Sequence, residues 1–214
     1  MFFAKKTKLI LMGGGKLACM IYSTFRKHYN FVGYIDDKYD KALIEEHYGI
    51  KKLGTSKDIQ RIALLCKNII MAISSEGDNS PRMRYIDQFL KAGFDFPTLV
   101  APSAIVADKC CLGRGCIIQH HVVIDDLTHI GDHCLVASNS TIRHNVKMGD
   151  NVVIAPSATV NGDTEIGDGV FLGTGSIVIQ RVKVGKNALV GAGAVVIRDV
   201  PQGAKVVGVP AKEI

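Results

Sequence analysis

Tryptophan is absent from this 214-residue chain and aromatic residues make up only 7% of it. The stacking surfaces on which nucleic acids are held are therefore thin, and nucleic acid is not expected as a partner. No apolar run approaches the roughly 18 residues that a membrane-spanning helix requires. The basic start, Met1 to Lys8, has neither the apolar stretch nor the small-residue cleavage site of a secretory signal. These absences lead us to expect a cytoplasmic chain with no membrane partner. Six cysteines (Cys19, Cys66, Cys110, Cys111, Cys116, Cys134) contain no C-x-x-C pair. They are too sparse for a disulfide scaffold and read as reduced thiols.

What the chain does have is enough apolar residue, 47%, to exclude disorder. Its charge is unevenly spread. Residues 1–99 hold 16 Lys and Arg against 10 Asp and Glu, whereas residues 100–214 hold 10 of each, so the net charge of +6 belongs to the first part. A modest cationic surplus in one small domain suits an anionic small ligand such as a diphosphate.

The second part repeats every six residues. Steps of six from Val100 through Val106, Leu112 and Ile118 to Val196 give seventeen consecutive aliphatic positions. Four residues after each stands a small or β-branched residue, among them Cys110, Cys116, Cys134, Ser140 and Thr164. Glycine often follows the aliphatic residue, as at Gly113, Gly131, Gly149 and Gly167. A hexapeptide period is the mark of a left-handed parallel β-helix, three short strands to a coil, with the aliphatic side chains stacked inward. Each such burial contributes about 1.5–3 kcal/mol. Cys110, Cys116 and Cys134 fall in the small-residue column and read as fillers.

The first part reads as an α/β unit. A short apolar run, Lys8 to Met12, leads into Gly13-Gly14-Gly15-Lys16 and a helix that should reach Lys27. Such a turn lets backbone approach a phosphate, and the helix start offers unpaired N–H groups. A second strand, Phe31 to Ile35, ends in Asp36-Asp37, where folds of this kind place an acid for a ribose or base edge. A third run, Asn68 to Ser74, precedes a polar stretch, Ser75 to Ser80, and a helix from about Pro81 to Ala92. We expect residues 1–98 to form a small Rossmann-like nucleotide-sugar-binding domain and residues 99–214 the left-handed β-helix.

Gly-Gly-Gly-Lys with Asp-Asp, joined to an unbroken hexapeptide repeat that closes in Gly208-Val-Pro-Ala-Lys212, resembles the bacterial nucleotide-sugar acetyltransferases of the sialic-acid and bacillosamine type. The resemblance covers nearly the whole chain. It implies an acetyl-CoA-dependent N-acetyltransferase, with acetyl-CoA as co-substrate and a UDP-4-amino-sugar type of acceptor. It also implies a homotrimer with active sites between subunits and no required metal. Gly13, Gly14, Gly15, Lys16, Asp36 and Asp37 would bind the nucleotide end. The general base would be His144, in Ser140-Thr-Ile-Arg-His144-Asn, with Asn145 beside it and the Gly162 N–H receiving the oxyanion. Gly162, Gly173, Thr174, Gly191 and Ala192 would contact acetyl-CoA.

The residues support part of this independently. His144 stands two after Ile142, at a turn and facing outward, and an imidazole that titrates near neutrality can take a proton from an attacking amine. Three positions depart from the family's usual pattern. Asn145 stands where Asp or Glu commonly follows the base, Val153 where a second His is often found, and Ala137 where an Asn is often found. Other readings remain. The acceptor could be a sialic-acid-like hydroxyl, or the chain could bind a nucleotide sugar without turnover. The five histidines of the second part (His120, His121, His129, His133, His144) could in principle serve zinc, as in γ-class carbonic anhydrases, although their spacing does not match that class. Direct transfer is expected, because no activated nucleophile lies near His144 and Cys134 belongs to the inward column.

Overall fold

The computed structural model describes residues 6–73 and 80–214. It divides into two compact units, Met1–Pro97 and Thr98–Ile214. Most of the basic start and all but the last residue of the polar stretch that follows the third apolar run lie outside the described residues.

The first unit is a four-stranded parallel sheet with helical crossovers. Strand β1 (Lys8–Met12) leads to α1 (Lys16–Phe25), β2 (Asn30–Ile35), α2 (Leu43–Tyr48) and β3 (Lys52–Gly54). A 3-10 turn (Ser56–Asp58), α3 (Ile59–Ala63), β4 (Ile69–Met71) and α4 (Ser80–Lys91) follow. The strand order is β3-β2-β1-β4, and every pairing is parallel. Strand β1 buries four of its five residues, as strands covered on both faces do, which is why it reads as a continuous apolar run. Helix α1 buries Leu17, Ala18, Ile21 and Phe25 along one stripe. Ile10, Met12, Ile35, Ile62, Ile69, Met71, Phe89 and Phe94 share one core. Because all strands run the same way, every strand-to-helix turn lies at one edge of the sheet and every helix-to-strand turn at the other.

The second unit is a three-sided β-helix. Seventeen two-residue strands, β5 (Leu99–Val100) to β21 (Val195–Val196), fall into three parallel sheets. Thr141 pairs with Thr159 and Thr159 with Ile177, so a coil takes 18 residues. The inward column is fully buried from Ile118 to Val196. Its first three members are not: Val100 is 40% exposed, and Val106 and Leu112 are half-buried. They belong to the terminal coil, which has a neighbour on one side only, and within it Leu99 is the residue buried in place of Val100.

Space is not the only thing that decides the small-residue column. Most of its hydroxyls and thiols donate to the carbonyl fifteen residues on: Thr128 to Arg143 (2.8 Å), Ser140 to Ala155 (3.0 Å), Thr164 to Ile179 (3.2 Å), Cys116 to Gly131 (3.1 Å) and Cys134 to Gly149 (3.2 Å). The filler cysteines are thus weak donors that satisfy backbone of the next coil, and burial pushes the Cys110 thiol, bonded to the Asp125 carbonyl, up.

The recurrent glycines have a cause as well. Asp132, Asp150 and Asp168 form a ladder in which each carboxylate accepts the N–H of Arg114, Asp132 or Asp150 in the preceding coil. Arg114 and Lys186 pair with its two ends. A Cβ on Gly113, Gly131 or Gly149 would run into these carboxylates. Beyond β21, β22 (Lys205–Val207) continues one sheet in parallel and β23 (Lys212–Glu213) lies antiparallel against it.

Candidate active site

In the first unit the glycine turn joins β1 to α1. Gly13 has φ +101°, a backbone region that favours glycine, and a Cβ there would meet the Ala72 carbonyl at 2.9 Å. A Cβ on Gly14 would strike Ala42 and the Tyr34 ring, whereas Gly15 faces open space and begins α1 without a side-chain cap. The first N–H groups of α1 are therefore presented at the open side of Gly15, the usual geometry for receiving an anion. Around this point lies a cavity of about 740 Å³ lined by Gly13 to Lys16, Asp36, Asp37, Lys38, Tyr39, Lys41, Glu46, Tyr85 and neighbouring apolar residues. Its volume is that of a small-molecule site, and three lysines reach it.

All six residues expected to bind the nucleotide end line this cavity, but they do not act alike. Asp36 is buried, and one of its oxygens accepts the Gly14 N–H at 2.9 Å. The other accepts the N–H groups of Lys38 (2.8 Å) and Tyr39 (3.0 Å). It clamps the glycine turn to the end of β2. Asp37 accepts from the Ser56 N–H (2.6 Å), the Ser56 hydroxyl and the Tyr85 hydroxyl (2.9 Å). Burial pushes its carboxyl up, yet the bonds from Ser56 and Tyr85 together hold it below the usual carboxylate range. The Tyr85 hydroxyl is correspondingly raised, by burial first and then by Asp37. Lys38, Tyr39, Lys41, Glu46 and Tyr85 are lining residues that the motif reading missed. The clustering of Lys38 and Lys41 just after Asp36-Asp37 was the available signal.

In the β-helix, His144 is exposed at the corner after Thr141–Ile142, and its ring lies over Gly162 of the next coil. An added Cβ on Gly162 would sit 2.5 Å from the imidazole Cε1 and 2.7 Å from Nε2. Only glycine leaves that space. The Gly162 N–H has no acceptor among the described residues, while its carbonyl accepts from Arg181 (3.1 Å). Asn145, with φ +55°, donates from Nδ2 to the Asp163 carboxylate at 2.7 Å, and Asp163 pairs with Arg181 at 3.7 Å. The amide is thus tied to the next coil and supplies no charge of its own, but a carboxylate stands directly after Gly162.

His144, Asn145 and Gly162 therefore meet at one corner. The other residues expected to touch acetyl-CoA do not join them within the chain. Thr174 and Ala192 are one coil apart from each other, with Gly193 donating to the Thr174 carbonyl (2.8 Å), and Gly173 lies against Gly191 and Ala192. They form the corner before Ile177–Val178, at the opposite side of the face on which Thr141, Thr159 and Ile177 are stacked. Val153 opens the strand Val153–Ile154 and Ala137 directly follows Leu135–Val136, the neighbouring strand of the same sheet; both are buried. Among the described residues no group of three or more His, Cys, Asp and Glu is placed to hold a metal ion, and no helix is long and apolar enough to cross a membrane.

The bacterial transferase hexapeptide (six repeats) model matches residues 127–162 and 163–198. Among solved structures, the chain is similar to a GDP-perosamine N-acetyltransferase from Caulobacter crescentus bearing a His-to-Ala substitution, in complex with CoA and GDP-perosamine. Identity is 26% over 97% of this chain and 96% of that one, with TM-score 0.90. It is also similar to the acetyltransferase domain of PglB from Neisseria gonorrhoeae in complex with acetyl coenzyme A, with 26% identity, 98% and 100% coverage and TM-score 0.89. WeeI from Acinetobacter baumannii shares the fold at 23% identity, 97% and 100% coverage and TM-score 0.80. No curated protein sequence gives a significant match.

Proposed function

Because residues 127–162 and 163–198 of its β-helix match the bacterial transferase hexapeptide model, we propose that this protein is an acetyl-CoA-dependent N-acetyltransferase acting on a nucleotide-linked amino sugar. One observation carries the assignment: an exposed imidazole, His144, seated on a glycine whose N–H meets no acceptor among the described residues. Similar proteins crystallised with CoA and GDP-perosamine, two of them altered at a histidine, support the choice of reaction.

The chemistry follows from that corner. The sugar amine attacks the thioester carbonyl while His144 takes its proton. The tetrahedral oxyanion is received by the Gly162 N–H. Collapse breaks the C–S bond, CoA leaves as thiolate, and the imidazolium returns the proton to sulfur. The parallel sheet with its glycine turn is a truncated Rossmann-like unit. The α1 N-terminus with Lys16, Lys38 and Lys41 would hold the diphosphate, and Asp36 would act by fixing the turn rather than by touching ribose.

The β-helix, left-handed in this reading, is completed by association. The outer column of the face between the two corners is Ile105, Val123, Thr141, Thr159, Ile177 and Val195, without a charge. The next face around carries His129, Lys147, Glu165 and Lys183 instead. A three-fold axis facing the uncharged column would bring His144 of one protomer beside the Thr174 corner of the next. The active site would then be intersubunit in a homotrimer.

The test is mass spectrometry after incubation with acetyl-CoA and UDP-, dTDP- or GDP-linked amino sugars, with sialic acid in parallel. One acetyl gained on a nucleotide amino sugar is the expected result. Transfer to sialic acid alone would move the reaction to oxygen, and binding without transfer would make the chain a nucleotide-sugar binder.

A further inference from the structure

The first unit has more positive charge than its cavity uses. Lys16, Lys38 and Lys41 line the cavity at the strand-to-helix edge of the sheet. Five other cations gather at the opposite, helix-to-strand edge: Lys6 and Lys8 at the start of β1, Arg26 and Lys27 between α1 and β2, and Lys67 before β4. All five are exposed, and none has a carboxylate within ion-pair distance among the described residues. Asp95, bridged to Asn68, offsets one of them.

The same edge carries two apolar side chains with no core role. Leu64 and Leu65 follow α3 and are 88% and 50% exposed, Leu64 more than any other large apolar residue described. Topology fixes them beside the cations: Cys66, the next residue, reaches the Lys8 carbonyl with its Sγ at 3.3 Å, and Lys8 is in register with Asn30.

We propose that this edge is a docking surface for an anionic lipid bilayer. Lysine is depleted in protein–protein contacts, which favour aromatic and arginine anchors in pockets. Four lysines and an arginine around two protruding leucines match an interfacial lipid contact, in which cations meet anionic headgroups and leucines enter the acyl boundary. Such a contact needs no spanning helix, and it revises the expectation of no membrane partner. It leaves the cavity at the far edge of the sheet open. It does not depend on the acetyl-transfer reading.

The experiment is co-sedimentation of the full chain with phosphatidylcholine vesicles, with and without phosphatidylglycerol, at low and high salt. Expected are binding to the phosphatidylglycerol vesicles at least about tenfold tighter than to phosphatidylcholine alone, with loss at high salt. Leu64→Glu/Leu65→Glu and Arg26→Glu/Lys27→Glu should each lower that binding about tenfold or more at unchanged Tm. Equal partitioning into both vesicles, or retention in both variants, would overturn the proposal. Binding to polyglutamate or DNA without vesicle binding would also overturn it, by giving the edge to a different polyanion.

Discussion

At the scale of single residues, the proposed chemistry turns on a pair that touch across coils. His144→Ala should lower kcat by two or more orders of magnitude, the size of a general-base contribution, while nucleotide-sugar binding measured by calorimetry stays intact. Gly162→Ala should be nearly as damaging for a different reason. The new Cβ falls 2.5 Å from the imidazole, so the ring must leave its seat although the coil keeps its register. Retained kcat in this variant would remove the stacking from the mechanism.

Asp37 makes a pH-dependent contribution. Its carboxyl is held below the ordinary range by Ser56 and Tyr85 against the opposing effect of burial. The stability it supplies is therefore present above the unfolded value of about 3.9 and lost as pH falls through the lower folded value. Denaturation curves of Asp37→Asn should show a deficit at pH 7 that shrinks as the pH is taken below 4. These residues were only partly legible in the sequence. The spacing of His144 exposed it as an outward turn residue. Nothing local distinguishes an aspartate that binds ribose from one that clamps Gly14, because the clamp joins residues 22 apart in the chain.

At the scale of elements, legibility followed period. The β-helix was readable because every hexapeptide repeats the same physical demand, one aliphatic inward and one small residue at the corner. The exceptions, Val100, Val106 and Leu112, are those for which the demand lapses at the end of the stack. Ile154→Ala, in mid-stack, should cost about 2–5 kcal/mol, and Leu112→Ala distinctly less, as compared by urea denaturation. Equal losses would mean the terminal coil is covered after all. In the first unit β1, α1 and α4 were readable from their length and pattern. Helices α2 and α3 have six and five residues and β3 has three. Each is too short to show a period and is held by the tertiary contacts it makes.

At the scale of the whole molecule, the His144 and Thr174 corners lie on opposite sides of one face within the chain, so the proposed homotrimer would make turnover a property of the assembly. Mixed oligomers of His144→Ala and Thr174→Trp subunits should regain activity that neither variant shows alone, because some interfaces then join an intact copy of each corner. No recovery on mixing would put both corners to work within one chain.

The antiparallel strand β23 bears on the same rod in another way. A stack of parallel coils is an open template: the last one offers unpaired N–H and C=O groups on which another rod could begin, and so on without limit. Lying across β22 with only Lys212 and Glu213, β23 reverses the direction of pairing and leaves a two-residue charged rim, a surface poor at recruiting further strands. The same repetition that lets the fold extend by whole coils would, without that reversal, let separate molecules extend one another into fibres.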